Sequence, residues 1–449
     1  MKTYKLLFIL VVMLSYSSSL FSQWTIQHSG LPDSQNPTLI FSAVDSNICW
    51  GIQYEISNPK GVLTIDGGEN WNLIQLPAIS GLIGNSIDAI NKDIAWITLE
   101  DPAGSAKGGI FKTTNGGADW IKQETAFPGS GGRPKSIYFF DADNGLCTGN
   151  PKNGYWEIYT TVDGGTNWTR VPSANIPSPV SGDETGGGVK KGAGNSFWFN
   201  SAYRSLYHST DRGLTWTVAR DIPSPGGIGL EIAFKDSLNG LVSSYFGEQV
   251  NKISSSSDGG AHWTSLNAPP HPSTYFIDYA PGTIGTYFIT SHNNIGYPVP
   301  TIAGSAYSID GGHNWKQIDS LPHGAASFTL GNTGWSAGRG DIIYKWKGNP
   351  LGITDESLNK QLNKTAILSQ NYPNPFSSST SIQFQIPFTS KVILKVYDLV
   401  GSDVATLVNE TKPSGTYNVN FEIKDLSSGC YFYRLQVGSF IQTKKLFVL

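Results

Sequence analysis

One eight-residue pattern recurs six times along the 449-residue chain and constrains its fold more than any other feature. The copies read TIDGGENW, TTNGGADW, TVDGGTNW, STDRGLTW, SSDGGAHW and SIDGGHNW. Each opens on Ser or Thr and places an acid or its amide third, at Asp66, Asn115, Asp163, Asp211, Asp258 and Asp310. Each closes on tryptophan, at Trp71, Trp120, Trp168, Trp216, Trp263 and Trp315. The third positions are spaced by 49, 48, 48, 47 and 52 residues. A period near 48 is the length of one four-stranded propeller blade. The residue types describe a hairpin corner. Asp or Asn bonds its own local backbone, and glycine supplies a positive φ. The hydroxyl ties the turn to the incoming strand, and the tryptophan opens the next strand with a large apolar face. These residues are expected to be architectural.

A second half-motif precedes each corner: an apolar strand, a polar turn and a second strand, as in FSAVDSNICWG from Phe41 and IYFFDADNGLCTG from Ile137. Seven such units stand against six corners. The seventh ends in IIYKW at 342–346, whereas WTIQ at 24–27 resembles the strand that follows each corner. The N-terminal strand is therefore expected to complete the last blade, which removes an open sheet edge. The expectation is an all-β chain with a seven-bladed β-propeller over residues 23–348, six or eight blades being the alternatives. The 51 glycines and 12% aromatic content fit many short strands joined by tight turns.

The six corners match the Asp-box, or BNR, repeat. The chain thus resembles the propellers of sialidases, sortilins, some xyloglucanases and photosystem II assembly factors. That resemblance implies the fold and leaves function open, since this fold hosts unrelated activities.

Both ends carry transport signals. Lys2 and Lys5 precede the apolar run Leu6–Leu14 and a Ser-rich stretch, the order of a secretory signal peptide over 1–22. That run is too short to span a bilayer, and no later segment reads as transmembrane. Residues 349–366 are polar and read as a linker. Over 367–449 an NYPNPF opening is followed by alternating strands, which predict a small Ig-like β-sandwich. The opening, Val396-Tyr397-Asp398 with Gly401 after it, Ser428-Gly429 ahead of Tyr431-Phe432, and Lys444-Lys445 near the terminus closely resemble the type A sorting domain of the type IX (Por) secretion system. The resemblance implies a Bacteroidetes-type bacterium, passage through the periplasm, and the type IX machinery and its sortase as partners of residues 367–449. The product would be secreted or held at the cell surface.

The net charge of −3 and the lack of a basic stripe argue against nucleic acid. The three cysteines, Cys49, Cys147 and Cys430, lie far apart inside apparent strands and read as unpaired thiols. The seven histidines show no metal-ligand spacing, so neither a metal nor a cofactor is expected. Propeller ligands bind on the face opposite the corners. The candidates there are Arg133, Tyr155, Trp156, Tyr203, Arg204, Tyr245, Glu248 and Arg339, with Lys135, Glu100, Asp101, Asp183 and Glu184 beside them. A sialidase needs an arginine cluster and a Tyr/Glu pair, and an inverting glycosidase needs two carboxylates across a cleft. The Phe/Tyr-Arg-Ile-Pro signature of sialidases is absent, and xyloglucanases of this type use two propellers. The reading is a non-catalytic exported propeller that binds protein, peptide or glycan. Its alternative is an extracellular glycoside hydrolase of sialidase or xyloglucanase type.

Overall fold

The structure is a computed structural model. It describes residues 23–347 and 367–449, apart from 32–38, 55–58, 186–190, 203–204, 223–229, 245–251, 293–301 and shorter breaks of one to three residues. The chain divides into two compact units. The expected signal peptide and linker lie outside the described residues.

Among the described residues, the first unit holds seven sheets of four antiparallel strands, here blades 1 to 7. They span 39–74, 83–122, 134–170, 191–219, 230–266, 276–319 and 326–346, the last completed by Trp24–His28. In blades 1 to 6 sheet order follows chain order. First strands neighbour one another from blade 1 to 2, 2 to 3, 4 to 5, 5 to 6 and 6 to 7, and the first strand of blade 7 returns to that of blade 1. The second strands of blades 1, 2, 4 and 6 (CWGIQ, AWITLE, SFWFN, YFITS) are buried along their whole length. Such runs do not alternate because another blade covers each face. Outer strands are short, only Ile121–Lys122 in blade 2 and Thr169–Arg170 in blade 3, so little edge is left to pair with another chain.

Among the described residues, the buried apolar side chains of the propeller form seven clusters rather than one core, one between each pair of adjacent blades, including one between blades 7 and 1. A closed ring of seven follows. Its closure is antiparallel, with Trp24 opposite Trp346 and His28 opposite Ile342. Trp24 is buried, its ring centroid 5.1 Å from that of Trp346, and its Nε1–H donates to Ser305 Oγ of blade 6 at 3.0 Å. Cys49 and Cys147 are fully buried and Cys430 is part-exposed; none forms a disulfide. Burial pushes the Cys49 thiol well above its ordinary pKa.

The second unit is a sandwich. A three-stranded sheet (Ile367–Leu368, Ser379–Ile386, Gly415–Glu422) and a four-stranded sheet (Asp403–Lys412, Ser390–Tyr397, Gly429–Val437, Phe440–Val448) enclose one apolar core. The NYPNPF opening is built into it. Asn371 N–H donates to Tyr433 Oη at 2.8 Å, Tyr433 O–H donates to the Ser369 carbonyl at 2.8 Å, and Phe376 reaches the core.

Candidate binding face

The repeated corners join the third strand to the fourth in blades 1 to 6. In all six the Ser or Thr hydroxyl accepts the N–H of the glycine four residues on, at 2.7–2.9 Å. The same hydroxyl donates to the Asp or Asn Oδ1 at 2.8–3.0 Å. That oxygen also accepts a backbone N–H four residues further along. The N–H just after the acid donates to a carbonyl in the turn between the first and second strands, as from Gly67 to Asn47 at 2.8 Å. The six acidic or amide groups are thus engaged by their own turns. The N–H of Asn70 holds the Asp66 carboxyl down at about 2, and the N–H of His262 does the same for Asp258.

Because strands alternate in direction, the inter-blade loops and the turns between second and third strands share the opposite face. There the structure joins several expected residues. Glu100 ends the second strand of blade 2 and is only 3% exposed. Arg133 Nε, at the entry to blade 3, stands 2.8 Å from its Oε1. Lys135 Nζ lies 2.5 Å from its Oε2, which also accepts Asn85 Nδ2–H at 2.7 Å. Arg133 Nη1 lies 3.6 Å from Glu184 Oε1, in the loop leading to blade 4. Asp183 beside it is buried, its Oδ1 accepting the Glu184 N–H at 3.0 Å. Asp101 is buried too, and its Oδ1 accepts the Ala103 N–H at 2.9 Å. Glu100 therefore sits among two cations and an amide, and both aspartates shape turns.

Other expectations fare differently. Tyr155 is exposed on the blade 3 hairpin, opposite Lys152. Trp156, expected on the face beside it, is 1% exposed and packs edge-on against Phe199 and Tyr207 between blades 3 and 4. Successive strand residues point to opposite sides, so one of this aromatic pair had to turn inward. Arg339 is exposed in the blade 7 turn, and the Asp341 carboxylate is 3.0 Å from His28 Nδ1 of the closing strand. Tyr203, Arg204, Tyr245 and Glu248 lie outside the described residues. A Tyr/Glu pair does occur: Tyr159 O–H donates to Glu157 Oε2 at 2.9 Å, and Arg170 grips Oε1 through Nε and Nη2. Tyr159 is buried, and burial raises its hydroxyl above the usual range, so this trio ties strands together.

Sequence reasoning missed two groups on this face. Asn150 directly follows Gly149, where the continuous pairing of the second strand in blade 3 stops, at the position Glu100 holds in blade 2, and Asn200 ends that strand in blade 4. Both are buried. A polar residue closing an otherwise small or apolar strand was the available signal. Elsewhere, a cavity of about 330 Å³ at the rim of blades 2 and 3 is lined by Lys112, Ile121 and Lys122 among others. Lys112 donates there to the Gly164 carbonyl at 2.8 Å and stands over the Trp96 ring. Lys345 repeats this toward Gly67 and Trp335, so the arrangement ties blades together.

Residues 370–449 match the family model described as a secretion system C-terminal sorting domain. The chain is a β-propeller followed by a Por-type sorting domain. That domain marks the propeller as cargo of the type IX secretion system, destined for secretion or the cell surface. Over 211 residues, 42% of the chain, the sequence is 29% identical to a xyloglucanase of Paenibacillus sp, and the match spans 20% of that enzyme's length. Among solved structures, YCF48 bound to D1 peptide superposes with a TM-score of 0.53 at 17% identity, over 73% of this chain and 98% of that one. A fungal alcohol oxidase in complex with copper superposes with a TM-score of 0.50 at 9% identity, over 95% of this chain and 99% of that one. Likeness at these identities concerns the fold.

Proposed function

We propose that the protein is an exported, non-catalytic propeller that binds a protein, peptide or glycan outside the cell. In this reading residues 1–22 are a signal peptide, 349–366 a linker, and 367–449 the address read by the secretion machinery and its sortase. One observation carries the non-catalytic half. Glu100, best placed of the candidate carboxylates on the face, is buried against Arg133, Lys135 and Asn85. A general acid or base must exchange a proton with substrate. The two cations flank the Glu100 carboxylate, one at each oxygen, and Lys135 and Asn85 both hydrogen-bond Oε2, so substrate would have to displace them to reach it. Arg133, the described arginine in this cluster, is itself engaged by Glu100 and Glu184 and is poorly placed to clamp a sialic acid carboxylate.

The identity with the xyloglucanase supports the second reading, a glycoside hydrolase. Incubating the mature protein with xyloglucan and sialylated glycans separates the two. Binding without release of reducing ends or sialic acid supports the first. Turnover lost on Glu100→Gln or Asp183→Asn would establish the second. Deleting 367–449 should leave the propeller in the periplasm, and surface delivery of the truncated chain would refute the sorting role.

A further inference from the structure

The arc formed by blades 2, 3 and 4 on the face opposite the corners concentrates buried polar groups that the ring does not need for closure. Asn150 and Asn200 are each fixed from one side. Asn150 Oδ1 accepts from Thr185 Oγ1–H at 2.7 Å and from the Thr185 N–H at 3.2 Å. Asn200 Nδ2–H donates to the Leu230 carbonyl at 3.4 Å. A backbone N–H can only donate and a carbonyl can only accept, so neither amide can be flipped. This leaves one donor, Asn150 Nδ2, and one acceptor, Asn200 Oδ1, with no hydrogen-bond partner among the described residues. Both residues are at least nine-tenths buried. Leaving such groups unmet is costly, so a complement of water or ligand is expected there.

We propose that this arc is a carbohydrate-binding site for a neutral oligosaccharide, floored by Asn150 and Asn200, walled by Arg133 and Glu184, and rimmed by Tyr155. The assignment rests on the binding reading above and narrows it to one ligand class. A hydroxyl both donates and accepts, so one type of group serves the orphan donor and the orphan acceptor alike. Both orphan atoms are shielded, so sugar hydroxyls reach them through bound water, which preserves the direction of each bond. Both cations here are held by carboxylates, Lys135 by Glu100 and Arg133 by Glu100 and Glu184, so neither stands free to select an anionic ligand. Tyr155 is 47% exposed and offers the kind of ring face on which sugar C–H groups stack. Polar groups converging beside an aromatic surface are the usual make-up of a ligand site.

The test uses the mature full chain on arrays of neutral glycans and of peptides, followed by calorimetry with the best glycan hit. Tyr155→Ala and Asn150→Ala should each weaken glycan binding by about tenfold. Val162→Ser, on the corner face, should leave it unchanged, and matched thermal melts check folding. If Asn150→Ala fails to fold, Tyr155→Ala and Glu184→Ala decide. Peptide binding without glycan binding overturns the carbohydrate assignment and leaves the binding reading standing. Glycan binding that survives both Tyr155→Ala and Glu184→Ala overturns the location. Release of reducing ends from the bound glycan overturns the binding reading itself, and failure to bind either array overturns the assignment.

Discussion

The second glycine of each corner is where turn geometry and blade packing meet, and Gly117→Ala tests that junction. Gly117 has a φ of 83° and Gly116 a φ of 71°, so an alanine at either pays the left-handed penalty of about 1–2 kcal/mol. The two differ in what a new Cβ would meet. At Gly117 it would lie 2.3 Å from Ile74 Cγ2 and 3.4 Å from the Trp50 ring, in the core between blades 1 and 2. At Gly116 the nearest atom is the Lys92 carbonyl oxygen, 3.4 Å away. Overpacking a filled core costs about 1–3 kcal/mol. Gly117→Ala should therefore destabilise by about 2–5 kcal/mol and Gly116→Ala by about 1–2 kcal/mol. The chain already carries a natural version of the milder change, because Arg212 occupies the Gly116 position in blade 4 with a φ of 61°. Urea unfolding followed by tryptophan fluorescence measures both, and the comparison holds if the two m-values agree. If the variants lose equal stability, close docking of the corner on the preceding blade is not what requires the second glycine.

Three further outcomes follow from the same geometry. Trp24→Ala removes the ring that seals blade 7 against blade 6 and should cost about 3–5 kcal/mol in thermal or urea unfolding; a loss under about 1 kcal/mol would mean that the N-terminal strand does not close the ring in solution. Glu100→Gln leaves Arg133 and Lys135 without their carboxylate, and with both cations partly exposed the cost should be about 2 kcal/mol, read by the same melts; unchanged stability would show that the three charges do not meet. The Asp66 and Asp258 carboxyls titrate near 2 in the folded chain, below their unfolded value, so the stability they contribute is present above about pH 4 and lost as pH falls toward 2. Asp66→Asn and Asp258→Asn, which copy Asn115, should flatten the acid limb of a stability-versus-pH curve, and an unaltered limb would contradict that linkage.

The binding face was legible in parts and not in its connections. Arg133, Glu100 and Glu184 stand out in the sequence as charged loop residues, yet 33 and 51 positions separate Arg133 from Glu100 and Glu184 from Arg133. Which charges pair is set by how blades 2, 3 and 4 abut. Tyr155 and Trp156 are adjacent and chemically alike, so only strand register tells which faces solvent. Asn150 and Asn200 escaped notice because an asparagine near a turn usually belongs to the turn. Their burial arises from the loop that folds over from residues 180–185 and from the first strand of blade 5.

What the sequence determined alone is whatever repeats. The period near 48, the corner chemistry, seven units and the spare strand at Trp24 are properties of a one-dimensional pattern, because each blade is one supersecondary unit that packs only on its neighbours. The sorting domain belongs with these, since its motifs are local. The tertiary structure decided what differs between blades: the ion cluster at Glu100, the inward turn of Trp156, and the unmet amides of Asn150 and Asn200. These depend on contacts between residues distant in sequence, where a single step in register exchanges buried for exposed.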